Sequence, residues 1–167
     1  LGYADTGGRG IIAASEDTGA FTDYVFGDGM ISEVTSGAIA DGSWGAKPSP
    51  SAELQAAWEV VATAGGVDGS GVYSGESYDA MALIILAAQA AGSTDRAAIQ
   101  AEVMNVANAP GNKCHAGKLG ECLKMISGGL PVDYVGATGV ELDAVGTPNG
   151  SYAEQEVIAG AFTTVTV

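Results

Sequence analysis

Few side chains in this sequence have both the type and the spacing for chemistry. Cys114 and Cys122 flank a short segment with His115 beside the first of them. An even cysteine count in an acidic chain fits a disulfide formed in an oxidising compartment, and closing a loop of this size restricts the unfolded chain by roughly 2.5 kcal/mol. Two other readings stand beside it: a metal site that includes His115, although three ligands at this spacing match no zinc signature, and a pair of free thiols. His115 is the sole histidine, so a Ser-His-Asp or Cys-His nucleophilic system would have to be built around it. Its place in what reads as a loop between helices favours a simply exposed side chain. Twenty acidic residues offer many carboxylate pairs, but none has a spacing that marks a general acid and its base. The glycine-rich opening Gly2 to Gly10 lacks the GK[ST] ending of a phosphate loop. No residue set signals an enzyme, and no cofactor is expected.

What remains is polar residues at the ends of elements. Asp28 follows the strand-like stretch Thr22–Gly27, at the carboxyl end where open α/β sheets hold ligands. Asp28-Gly29 also reads as an ordinary turn pair, in which the aspartate bonds its own backbone. Tyr3 and Tyr78 are aromatics of the kind that finish the edge of a core or line a pocket. Ser77 stands where a helix begins.

That helix is the longest apolar run of the chain, Ser77 to Gly92. Ser77 is read as its cap, Asp79 as an acid in its first turn and Gly92 as its C-terminal glycine. From Ala80 to Ala88 it is apolar on every face, so other elements must cover it on most sides, and it is too short for a span of roughly 20 residues. Around it the periodicity predicts helices over Ile11–Ser15, over Ser51–Ala62 with Ser51 as cap, over Arg96–Ala107 behind Ser93-Thr94-Asp95, and over about Lys118–Ile126. Strands are predicted at Thr22–Gly27, Gly42–Pro48, Asp133–Gly136 and Gly139–Asp143, with a strand or hairpin over Tyr152–Val167. Helices and strands interleave, which makes the class α/β with a largely parallel sheet.

The chain has 167 residues, is 47% hydrophobic and carries a net charge of −14. That charge repels a phosphate backbone and an anionic membrane, so nucleic acid is not an expected partner. No signal peptide, lipid-attachment motif or membrane span is visible, and Leu1 opens into what reads as the middle of a fold.

Seven segments share an order and spacing: Gly2-Tyr3-Ala4-Asp5-Thr6-Gly7-Gly8, Val25-Phe26-Gly27-Asp28-Gly29-Met30, Gly45-Ala46-Lys47-Pro48, Ser77-Tyr78-Asp79-Ala80, Ala91-Gly92-Ser93-Thr94-Asp95, Pro110-Gly111, and Asp133 to Asp143. In this register the chain resembles the branched-chain (Leu/Ile/Val) amino acid type of ABC-transporter substrate-binding protein, a type I periplasmic-binding-protein fold, and it resembles only the C-terminal half. From Leu142 to Gly150 the agreement weakens.

The resemblance implies two parallel-sheet α/β lobes that hold a ligand between them, each incomplete here. Residues 1–48 would belong to the second lobe, 49–148 to the first, and the strand-rich tail 149–167 to the second again. It further implies an extracytoplasmic solute-binding protein of an ABC importer, periplasmic or, in a Gram-positive cell, membrane-attached outside. Such a protein closes by a hinge on an amino acid or a small relative and presents it to a membrane permease. A ligand-sensing receptor domain of the same fold is the alternative. Carried over residue by residue, Asp28 would hold the ligand's ammonium, Tyr3 would pack on the ligand, and Tyr78 would stand where the family has an aromatic that lines the side-chain pocket; Ser77 is a ligand-binding candidate from its place beside Tyr78 at the polar helix entrance, where a ligand could arrive. The ligand carboxylate would be held by the N-terminal half of the same protein.

Overall fold

The computed structural model describes residues 7–31 and 41–166. In chain order these form α1 (Arg9–Thr18), β1 (Val25–Phe26), α2 (Asp28–Ile31), β2 (Trp44–Pro48), α3 (Ala52–Ala64), α4 (Ser74–Ala91), α5 (Arg96–Ala107), β3 (Asn112–His115), α6 (Leu119–Ser127), β4 (Val132–Gly136), β5 (Tyr152–Ile158) and β6 (Ala161–Thr166). The chain divides into two compact units, Leu1–Ser49 with Ser151–Val167, and Pro50–Gly150.

The first unit is built on a sheet of order β1-β2-β5-β6. β1 and β2 run parallel, with Phe26 opposite Gly45. A Cβ at Gly45 would come 2.6 Å from the Phe26 carbonyl oxygen, so only glycine lets the two strands approach this closely. β5 pairs antiparallel with both β2 and β6. The sheet is therefore parallel on one side and a hairpin on the other. The hairpin turns through Ala159 and Gly160, whose φ angles of 53° and 77° are the paired positive values that match the twist of the flanking strands. Ala153, Gln155 and Val157 alternate inward along β5. Ile12, Phe26, Met30 and Ile31 join Val157 in the core beneath the sheet, where Phe26 and Phe162 meet edge to face at 5.4 Å. β1 is shorter than the predicted strand, because the Tyr24 N–H is taken by the Ser43 hydroxyl at 2.9 Å.

In the second unit the caps of α3 and α5 fall where the side chains predict them. Ser51 accepts the Leu54 N–H at 3.4 Å, and Asp95 accepts those of Ala97 and Ala98 at 3.0 and 3.1 Å. Three expectations are corrected. α4 begins at Ser74, with Tyr73 at its N-cap position and no side-chain cap. Ser77 is therefore inside the helix, where its backbone N–H already donates to the Tyr73 carbonyl at 2.9 Å. Cys114 and His115 lie on a strand, β3, paired parallel with β4, and not in a loop; only Cys114 of its four residues is buried, too little apolar pattern to mark a strand. Gly139–Asp143 is not a strand. The Val140 N–H turns back to the Val135 carbonyl, and the Asn108 side chain takes both the N–H and the carbonyl of Leu142, each at 2.9 Å. What pairing remains is one isolated antiparallel bridge between Leu142 and Pro148, with the Asp143 N–H on the Thr147 carbonyl and the Asn149 N–H on the Glu141 carbonyl, which closes a turn.

α6 links β3 to β4 as a parallel crossover. The core of this unit gathers Leu83, Leu86 and Ala87 of α4 with Val106, Val132, Tyr134 and the two cysteines. α4 is covered on one side only: Asp79, Ala82, Leu83, Leu86 and Ala87 are buried, whereas Met81, Ile84 and Ile85 are 58%, 49% and 37% exposed.

Candidate functional site

Parallel strands point their carboxyl ends, and the helix N-termini that follow them, toward the same edge, and ligands of open α/β sheets bind there. In the second unit that edge is formed by the loops after β3 and β4 and by the first turns of α4. They are bound to one another by polar contacts. The Ala116 N–H donates to the Gly136 carbonyl at 3.2 Å, and the Gly117 N–H donates to the Tyr78 hydroxyl at 3.0 Å. Tyr78 also packs on Trp58, ring centroids 4.9 Å apart, and the Trp58 Nε1–H donates to Ser74 Oγ at 3.2 Å.

Asp79 is the centre of this arrangement. Its carboxylate is buried and accepts four hydrogen bonds: the Tyr134 hydroxyl at 2.7 Å, the Ala137 N–H at 2.8 Å, the Thr138 N–H at 2.9 Å and the Thr138 hydroxyl at 2.7 Å. Gly136 makes room for it, since a Cβ there would overlap Asp79 Oδ1, and its φ of 64° suits glycine as well. Burial, and then the negative charge of Asp79, push the Tyr134 hydroxyl far above its ordinary pKa. The sequence places Asp79 in the first turn as a partner of the helix dipole; instead it reaches across to the loop after β4.

Of the residues singled out from sequence, Ser77 and Tyr78 are brought to this edge. Ser77 is exposed, while Tyr78 is half-buried with its hydroxyl engaged by Gly117. Tyr73 comes to the same edge unanticipated. It is 44% exposed and holds a φ of 63°, a left-handed conformation that costs a bulky non-glycine residue energy and is concentrated at functional sites. No periodic pattern includes it, since it lies within the glycine-rich stretch from Gly65 to Gly75.

In the first unit Asp28 stands at the carboxyl end of β1 as the first residue of α2, half-buried. Tyr3 lies outside the described residues. Cys114 and Cys122 form a disulfide with both sulfurs buried, which removes the thiolates that a metal site with His115 would need. Among the described residues no group of three or more His, Cys, Asp or Glu side chains could hold a metal. A further charged pair, Lys113 Nζ and Asp133 at 2.7 Å, crosses from β3 to β4. Its hydrogen bond holds the exposed Lys113 ammonium above the usual lysine range.

No family model matches this sequence, and no curated protein matches it. Among solved structures, the chain is similar to the crystal structure of a leucine binding protein, LivK, from Thermotoga maritima. The TM-score is 0.59 at 18% identity, over 92% of this chain and 39% of that one. The likeness shows the fold: a mixed α/β portion of a periplasmic-binding-protein fold. The chain spans 39% of the length of the solved protein it matches.

Proposed function

We propose that this chain is the C-terminal portion of an extracytoplasmic solute-binding protein of an ABC importer. In this reading the intact protein has two lobes, each unit described here belongs to one of them, and the N-terminal half of the same polypeptide completes both. The lobes close by a hinge on an amino acid of the branched-chain type or a close relative, and the closed form is presented to a membrane permease. The single observation that carries the reading is the structural match to a leucine binding protein over 92% of the chain. That neighbour is a binding protein, and binding is the role we assign to this chain.

In the proposed site Asp28 receives the ligand's ammonium, since a carboxylate in a closing, dehydrated cleft binds an α-ammonium strongly. Tyr3 packs on the ligand, and Ser77 and Tyr78 stand at the wall contributed by the other lobe. Tyr73 is a second aromatic for that wall, 44% exposed. A thermal-shift screen of the full-length protein against amino acids, their amides and small carboxylic acids tests the proposal. Branched-chain amino acids should raise the unfolding temperature in a concentration-dependent way. Stabilisation by none of them would overturn the reading, and stabilisation by amides alone would replace it with the sensor domain of the same fold.

A further inference from the structure

We propose that Asp79 is the positioning residue of the candidate site. It fixes the first turns of α4, and with them Tyr73 and Ser77, to the loop after β4, and ligand affinity depends on it without any contact between its carboxylate and the ligand. The link to affinity rests on the function proposed above; the link to local order does not.

The geometry favours this over a general brace of the core. Asp79 is the sixth residue of α4, too far in to cap its own helix. It binds the consecutive N–H groups of Ala137 and Thr138, groups that no strand partner takes, together with the Thr138 hydroxyl. The loop is thereby held by one carboxylate, and only an ionised carboxylate can accept all four donors around it; an asparagine would turn its own amide donor toward at least one of them. The loop in turn touches the first turn of α4. A Cβ at Gly75 would lie 3.1 Å from Thr138 Cγ2 and 3.4 Å from Ala137 Cβ, so this part of the helix packs closely on the loop. Ser74, next to Tyr73, carries the hydrogen bond from Trp58, which supplies a built-in reporter.

The test uses the full-length protein carrying Trp44→Phe, so that Trp58 is the sole indole of this chain, compared with the same protein carrying Asp79→Asn or Thr138→Val. Thr138→Val removes one of the four bonds and keeps the apolar packing, so it stays informative where Asp79→Asn fails to fold. At a temperature well below unfolding, both variants should speed hydrogen exchange over Gly71–Tyr78 and at the Trp58 indole N–H, with β3 and β4 unchanged. Their affinity for L-leucine should fall about fivefold or more, with the larger loss for Asp79→Asn. Variants that melt earlier but keep wild-type exchange over Gly71–Tyr78 and wild-type affinity would overturn the proposal, leaving Asp79 a core brace. If the unsubstituted protein binds no L-leucine, the function proposed above has failed in that respect, and the exchange at Gly71–Tyr78 decides the role of Asp79 alone.

Discussion

Tyr134 is 1% exposed and donates a hydrogen bond from its hydroxyl to Asp79 at 2.7 Å. Desolvation first, and the adjacent carboxylate second, raise its pKa well above the ordinary 10.0. The folded state therefore keeps a proton that the unfolded chain releases above about pH 10. The stability this contributes is complete below that pH and declines as the pH rises through it, because the unfolded state then binds fewer protons. Urea midpoints measured on either side of about pH 10 should fall on the alkaline side, and Tyr134→Phe should flatten that fall. An identical alkaline slope in the variant would show that Tyr134 is not its source. At this scale the sequence was informative about residue type and silent about direction. Asp79 is legible as a helix-entrance acid, yet its four donors come from residues 134–138, about 55 positions away, and nothing local announces them. Asp28, by contrast, is placed by its own neighbours, a strand before it and the short helix α2 that it opens where the sequence reads a turn pair.

Elements were legible where a side chain or a glycine terminates them. Ser51 and Asp95 start α3 and α5, and Gly92, with a φ of 57°, ends α4. They were illegible where long-range pairing decides: β3 shows one buried residue in four and exists because β4 runs beside it, and Gly139–Asp143 has strand composition but spends its backbone on Asn108 and a turn. The disulfide ties these two kinds of element together, joining β3 at Cys114 to α6 at Cys122 with a separation of 8 residues. Its loop predicts that replacing both cysteines by alanine destabilises the protein by roughly 2.5 kcal/mol from chain entropy, with a further loss from the emptied, fully buried volume. Denaturant unfolding of the double variant measures this. A change below about 0.5 kcal/mol would mean the unfolded chain is not restricted by the bridge.

At the scale of the whole molecule, apolar surface is left uncovered in both units. On α4, Met81, Ile84 and Ile85 form an exposed stripe at spacings of three and four residues; in the other unit Val25 and Trp44, opposite one another on neighbouring strands, are 55% and 48% exposed. Beside α1, an apolar hollow of about 460 Å³ contains the Ser15 hydroxyl, which is buried without a hydrogen-bond partner. Faces of this kind mark an interaction surface, and the solved leucine binding protein has more than twice the length matched here. If the N-terminal half of the polypeptide covers them, α4 and β2 should exchange slowly in the full-length protein and faster in residues 1–167 alone. Equal protection in both would show that these faces need no cover.

In the proposed function the full-length protein closes on an amino acid through Asp28. Isothermal titration of L-leucine into the full-length protein, with and without Asp28→Ala, decides whether it does. The expected result is a saturable one-site titration that the substitution weakens by at least about a hundredfold, the loss expected when a buried ammonium is left without its carboxylate. Equal affinity in both proteins would contradict it.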